Sequence, residues 1–125
     1  MLKRSPIKKL SEKQRVKNQE KAEKSRRLHE WFIEIWKERE GFDKSGRGYV
    51  TCFETGKKLY SDYYMSNSCC YSHIIPKSKR PDLAMEDFNL QIVHPDAHAQ
   101  YETFPEKAPK QFALKQELLN KLRNE

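Results

Sequence analysis

The amino-acid sequence predicts an α+β protein in which short strands occupy the middle of the chain and a helix lies on either side. Residues 12–40 contain no glycine or proline and are rich in good helix formers. Between residues 49 and 93, short apolar runs alternate with turn-forming residues, which is typical of short strands. In residues 110–122, apolar side chains recur at helical spacing. A chain of 125 residues has room for one domain built from these elements.

The first helix has a defined start and two unlike halves. Ser11 is followed three residues later by Gln14, the form of a capping box, so we predict that the helix begins there and ends before Gly41. Its first half is polar all round. The second half is amphipathic, with apolar residues at helical spacing: Leu28, Trp31, Phe32, Ile35 and Trp36. We therefore expect the second half to dock on the domain, with both tryptophans in the core, and the first half to project.

The positive charge of the chain is concentrated at its N-terminal end. The formal net charge is +7, and residues 1–27 hold 11 Lys and Arg against three Glu, which leaves the rest of the chain close to neutral. A basic segment of this kind indicates a polyanionic partner such as nucleic acid. A solvated tail without a partner is the alternative.

The centre of the chain predicts two hairpins followed by a short helix. Residues 49–53 and 58–60 form the first pair of strands around a turn. Residues 71–75 and 90–93 form the second pair, and Pro95 suits the first position of a helix that ends near residue 103. We divide the chain into a basic N-terminal helical arm (1–41), a core (42–104) and a C-terminal helix that packs on the core (105–125).

Composition excludes several classes of protein. The sequence has no apolar run of 18 residues, so we expect no membrane span and no membrane partner. Its first residues are basic and lack the apolar centre of a signal peptide. Three cysteines, two of them adjacent, do not form a disulfide framework. We expect an intracellular, cytoplasmic protein.

Two segments of the core carry the chemistry. The first is the string HIIPKS, which begins at His73 on the predicted strand. The second begins at Asn89, 16 residues later, and reaches His98 after nine more, on the predicted short helix. On these residues the sequence resembles the HNH endonucleases, or ββα-metal nucleases. The resemblance spans roughly residues 49–104, and its specific part is 71–102.

The resemblance implies a ββα-metal core and a metal-dependent endonuclease or nickase that hydrolyses phosphodiester bonds of DNA. In such a site His73 activates the attacking water as general base, and Asn89 fixes the loop that orients it. His98 holds a divalent ion, with Glu102 one helical turn further on as a second ligand. A carboxylate ligand at Glu102 suits Mg²⁺ or Mn²⁺.

Two departures from the family pattern bear on metal binding. Ser72 stands where the family usually has another metal ligand, and its neutral hydroxyl is a poor one. The Cys-x-x-Cys pairs that brace many members with zinc are reduced to Cys52 and His94. A four-ligand site would have to recruit Cys69 or Cys70, so we expect no structural zinc, and packing of the terminal helices in its place.

Candidate substrate contacts lie beside these residues. Lys77, Lys79 and Arg80 form a basic loop next to His73 that suits phosphate positioning. His94 either caps the short helix or touches substrate. The resemblance favours DNA over RNA and an origin in a phage or mobile element, acting in the host cytoplasm, and it leaves monomer and homodimer open.

Two alternatives remain at this stage. One is a nucleic-acid-binding protein that keeps the fold without catalysis, which Ser72 favours. The other is an interaction module in which the apolar residues of the first helix form an interface instead of core.

Overall fold

The computed structural model describes residues 11–123 and contains four helices and five short strands. The N-terminal part of the predicted basic arm, with Lys3, Arg4, Lys8 and Lys9, lies outside the described residues. In chain order the elements are α1 (Glu12–Arg39), β1 (Gly41–Phe42), β2 (Gly48–Thr51), β3 (Lys58–Tyr60), α2 (Ser61–Tyr64), β4 (Tyr71–His73), β5 (Leu90–Ile92), α3 (Pro95–Thr103) and α4 (Pro109–Arg123). The predicted α+β class is confirmed, with its long N-terminal helix and its C-terminal helix. None of the helices described is long and apolar enough to cross a membrane.

Helix α1 begins and docks as the sequence predicts. The Ser11 hydroxyl caps it by accepting a hydrogen bond from the backbone N–H of Gln14 at 3.2 Å. Residues 11–27 are exposed, whereas Phe32, Ile35 and Trp36 are buried in the core and Trp31 packs against it. Phe32, Ile35 and Trp36 are therefore covered by the chain itself, which argues against their use as an interface, while Trp31 is only partly buried.

The strands form two separate antiparallel sheets. The first has the order β1-β2-β3, with Val50 opposite Leu59. The second is the β4-β5 hairpin, with Ser72 opposite Gln91. Strand β1 and helix α2 were not predicted, because two-residue and four-residue elements leave no periodicity to read.

Two apolar clusters hold the molecule together. The larger joins the second half of α1 to both sheets and α3, and Trp36, Tyr71 and Leu90 lie at its centre. The smaller packs α4, through Leu118, against Ile74, Ile75 and Leu83 of the loop that joins β4 to β5. The C-terminal helix therefore supports the loop that follows His73.

A carboxylate from the first sheet region caps α4. Glu54 accepts hydrogen bonds from the backbone N–H groups of Lys110 and Gln111 at 3.0 and 2.9 Å. Both donors belong to the first turn of the helix. The N–H groups of that turn have no hydrogen-bond acceptor within the helix itself. The negative charge also interacts favourably with the N-terminal end of the helix dipole. This contact fixes the position of α4 relative to the turn between β2 and β3.

Candidate active site

The hairpin β4-β5, helix α3 and the loop between the two strands enclose a groove of about 610 Å³. His73, at the end of β4, lies on one wall, and His98 and Glu102 of α3 lie on another. The sequence predicted all three as site residues, and the fold brings them together. Lysines from two elements complete the groove: Lys77, Lys79 and Lys115.

A backbone hydrogen bond fixes the His73 ring. Its Nε2 atom lies 2.8 Å from the backbone carbonyl oxygen of Ala84. A carbonyl only accepts, so Nε2 carries the proton and Nδ1 keeps its lone pair. Burial lowers the pKa of His73, the Ala84 hydrogen bond opposes this effect, and the nearby side chains of Lys77 and His98 lower the pKa further. The imidazole is therefore neutral at pH 7 and able to accept a proton.

His98 and Glu102 converge one helical turn apart. His98 Nδ1 donates to the backbone carbonyl oxygen of Cys69 at 2.7 Å, which directs Nε2 toward Glu102 Oε1 at 3.0 Å. Two acceptor atoms at that distance repel unless a proton or a cation lies between them. Adjacent ligands of an octahedral Mg²⁺, each about 2.1 Å from the ion, are about 3.0 Å apart. At 3.0 Å the two atoms are at hydrogen-bonding distance, and the same two atoms could serve as adjacent ligands of a divalent ion.

Asn89 supports the groove from beneath. Its side chain is fully buried; Oδ1 accepts from the N–H of Ile75 at 2.8 Å, and Nδ2 donates to the carbonyl oxygens of Ile75 and Leu83 at 3.0 and 3.2 Å. These bonds tie both ends of the β4-β5 loop to its middle. Asn89 is not part of the groove wall, so its contribution is to hold the loop beside His73.

Arg39, at the end of α1, contacts the same loop and was missed by sequence reasoning. Its guanidinium donates to the carbonyl oxygens of Leu90 and Asp87 at 2.8 and 3.0 Å. Burial lowers the pKa of Arg39, while the charges of Asp87 and Glu38 act in the opposite direction. These contacts flank Asn89 on both sides. Nothing in the sequence links two positions about 50 residues apart, so no local pattern could have found them.

Ser72 does not face the groove, which corrects its assignment to the metal ligands. Successive strand residues point to opposite faces, so Ser72 points away from the side that carries His73. Its hydroxyl is fully buried and donates to Gln111 Oε1 at 2.7 Å, and Gln111 Nε2 donates to the carbonyl oxygen of Ala97 at 3.3 Å. Ser72 therefore links the hairpin to α4 and α3.

Two of the four predicted substrate contacts lie elsewhere. Lys77 and Lys79 line the groove, but Arg80 forms a two-pronged ion pair with Asp82, at 2.9 and 2.7 Å. His94 caps α3 by accepting from the N–H of Asp96 at 3.1 Å, as one of its two predicted roles required. It lines a separate hollow, so its placement does not support the contact with substrate in this groove.

Lys115, Phe32 and Tyr101 line the groove without having been predicted. Tyr101 follows His98 by three residues, so helical spacing could have revealed it. Lys115 lies among the leucines of α4, and Phe32 lies in the buried stripe of α1. Both reach the groove only through tertiary packing.

Cys52 and Cys70 are buried in the larger apolar cluster, whereas Cys69 is exposed. The Cys52 sulfur accepts hydrogen bonds from the N–H groups of Thr55 and His94 at 3.4 and 3.2 Å. Burial raises the pKa of Cys70 to about 12, so this thiol stays protonated and is a poor metal ligand. Within residues 11–123, no group of three or more His, Cys, Asp and Glu side chains is arranged to hold a metal ion.

Comparison of the chain with protein-family models, with curated proteins and with solved structures gives no match.

Proposed function

We propose that the chain is a metal-dependent endonuclease or nickase of the HNH type that hydrolyses phosphodiester bonds of DNA in this groove. One observation carries the proposal: a neutral imidazole and a His-Glu pair face one groove that three lysines make basic. Phosphodiester hydrolysis needs a base for water and positive charge around the phosphate.

We propose the metal requirement on the basis of two donors, His98 and Glu102. His98 and Glu102 would hold a divalent ion such as Mg²⁺ or Mn²⁺, with water and substrate phosphate as the other ligands. Such an ion supplies charge stabilisation at the phosphoryl oxygens and at the leaving 3′ oxygen. His98 is ready for this role because Cys69 already takes its Nδ1 proton as a hydrogen bond, which leaves Nε2 for the ion.

The chain's own groups cover the remaining steps. His73 takes the proton of the attacking water at Nδ1, while Ala84 holds the ring through Nε2. Lys77, Lys79 and Lys115 place the phosphate backbone in the groove without reading sequence. One groove of this kind cuts one strand at a time, so a double-strand cut needs two copies or two encounters.

Conversion of supercoiled plasmid tests the proposal. We would compare the unmodified protein with His73→Ala and His98→Ala, in Mg²⁺, in Mn²⁺ and in EDTA. His29→Ala is the matched control, because His29 is exposed on α1 outside the groove. We expect metal-dependent nicking that falls by at least about a hundredfold in both groove variants and is unchanged in the control.

Nicking that survives in both groove variants would contradict the assignment. Absence of cleavage on plasmid, branched and single-stranded DNA, with DNA binding retained, would instead favour a second function. That function is nucleic-acid binding without catalysis, and the burial of Ser72 against Gln111 favours it, because it leaves the groove one ligand short of the family pattern.

A further inference from the structure

The exposed half of α1 carries a stripe of four lysines, which we call the lysine stripe: Lys13, Lys17, Lys21 and Lys24. They are spaced by four, four and three residues, so they lie on one side of the helix. All four are exposed. Among the ion pairs of residues 11–123, none involves these lysines, whereas Arg26 and Arg27 both pair with Glu23 at 3.3 and 3.2 Å. The stripe therefore presents charge that the helix does not neutralise by pairing.

The lysine stripe continues the buried face of the same helix. The spacing runs on through Leu28, Phe32 and Ile35, which pack into the core. At about 100° per residue, the four lysines and these three side chains fall within one sector of about 100°. Phe32 also belongs to the groove wall, with its ring centre 5.7 Å from that of His73. The stripe thus begins at the groove and extends away from it on the side that the domain occupies.

The opposite side of α1 differs in charge. Acidic and basic residues alternate there: Glu12, Glu23, Glu30 and Glu34 with Arg15, Arg26 and Lys37, and with Arg27 at the edge. Glu20 borders the stripe. The two sides therefore carry comparable numbers of basic residues. Only on the side of the lysine stripe do these residues form a row that leads toward the groove. This difference provides a matched control.

We propose that the lysine stripe binds the phosphate backbone of a DNA duplex whose scissile phosphate lies in the groove. The inference rests on the proposed function and adds the form of the substrate, a duplex that continues past the groove on one side. From Phe32 to Lys13 the helix rises about 28 Å at 1.5 Å per residue. Duplex DNA rises about 3.4 Å per base pair, so the stripe itself, which rises about 16 Å from Lys24 to Lys13, spans about five base pairs, and its far end lies about eight base pairs from Phe32.

Binding measured without cleavage tests the stripe apart from the chemistry. Fluorescence anisotropy of a labelled 24-base-pair duplex in EDTA, at several salt concentrations, would compare two triple variants of the full chain. The stripe variant is Lys17→Gln, Lys21→Gln, Lys24→Gln, and the control is Arg15→Gln, Arg26→Gln, Lys37→Gln. Both remove three charges from exposed positions of one helix, and circular dichroism checks that the helix is retained.

We expect the stripe variant to bind at least about tenfold more weakly at low salt, and its slope of log affinity against log salt to fall by about three. The control should lose less than about threefold. Equal losses in both variants, or no loss in the stripe variant, would overturn the proposal. Preferential binding of the stripe to phosphatidylserine vesicles in place of duplex would also overturn it.

Failure of the inference is distinguishable from failure of the proposed function. Plasmid nicking that needs His73, together with equal DNA binding by both triple variants, would support the nuclease function and overturn the role of the lysine stripe. Stripe-dependent duplex binding without any cleavage would leave the stripe and remove the nuclease.

Discussion

The two hairpins of the core are built by different means. The β2-β3 hairpin closes through a short turn, in which Gly56 adopts a φ of +76° and donates to the Cys52 carbonyl oxygen at 2.9 Å. All four glycines of the chain lie between residues 41 and 56. The β4-β5 hairpin closes through residues 74–89, which contain two prolines and no glycine. Its loop is held by the side chains of Asn89 and Arg39.

The conformation of the β2-β3 turn is determined by its own backbone, whereas the conformation of the β4-β5 loop is determined by side chains from distant positions. A glycine turn takes its conformation from its own residues, without side chains from distant elements. A long loop needs its backbone polar groups satisfied by other means, and each buried side chain that does so becomes indispensable. The candidate active site belongs to the second kind. We therefore expect stability and function to be coupled in the β4-β5 hairpin and independent in the β2-β3 hairpin.

The largest effect should come from Asn89→Ala. Loss of the Asn89 amide leaves the N–H and carbonyl of Ile75 and the carbonyl of Leu83 without hydrogen-bond partners in the interior. We expect the free energy of unfolding to fall by about 3 kcal/mol as a result. Asn67→Ala is the control: Asn67 accepts a single bond from Cys69 N–H at 3.0 Å near solvent, and its loss costs about 1 kcal/mol or less. Urea unfolding measures both. Equal losses would show that the loop does not depend on Asn89.

Arg39→Met should rank second. Two hydrogen bonds from a partly buried guanidinium to the Leu90 and Asp87 carbonyls are worth about 2 kcal/mol. The matched change is Arg47→Met in the first hairpin region, where Arg47 stacks 3.8 Å from the Tyr60 ring and pairs with Asp62 at the surface. That loss should be about 0.5 kcal/mol. A larger loss for Arg47 in thermal unfolding would reverse the comparison.

Gly56→Ala tests the backbone-set turn. A side chain at a φ of +76° costs about 1 kcal/mol, although no atom lies within 4 Å of the added carbon. Gly41→Ala should cost less than about 0.5 kcal/mol, because its φ is not positive and the nearest contact, Tyr49, is at 3.8 Å. DNA nicking by Gly56→Ala should stay unchanged at a temperature where the variant is folded. A loss of nicking in that variant would link the two hairpins.

The smallest effect should be a pH dependence from His73. Burial lowers the pKa of His73 in the folded state, so the unfolded state binds its proton first as the pH falls. This group's contribution to stability is therefore present above pH 6.5 and is lost as the pH falls below it. Between pH 7.5 and 5.5, measured in EDTA, the unmodified protein should lose more stability than His73→Gln. Identical losses would mean that His73 titrates in the folded state as it does in the unfolded chain.

Sequence reasoning recovered the local features and missed the long-range ones. The capped start of α1, the amphipathic switch at Leu28 and the proline at the start of α3 each depend on neighbours within one or two turns, and each is confirmed. Ser72 and His73 are neighbours in sequence, but their side chains point to opposite faces of β4. A sequence motif does not record which face of a strand each residue occupies. This is why Ser72 was placed wrongly among the ligands.

The remaining gaps in the site share a physical cause. Arg39 and Lys115 reach the loop and the groove from helices distant in sequence, and only packing decides which face of a helix meets which wall. The groove's lysines were predicted where they adjoin the motif, at Lys77 and Lys79, because a loop next to a strand end stays close to it. The HNH assignment itself stays a prediction.

The cap that Glu54 places on α4 has a consequence for protein synthesis. Helix α4 contributes Lys115 to the groove and covers Ile74, Ile75 and Leu83. In chain order it follows every other wall, so it leaves the ribosome after them. Until it docks on Glu54, a nascent chain has an incomplete groove and an uncovered apolar loop. Because α4 is translated last, the groove is completed only after Glu54, the residue that anchors α4, has been synthesised.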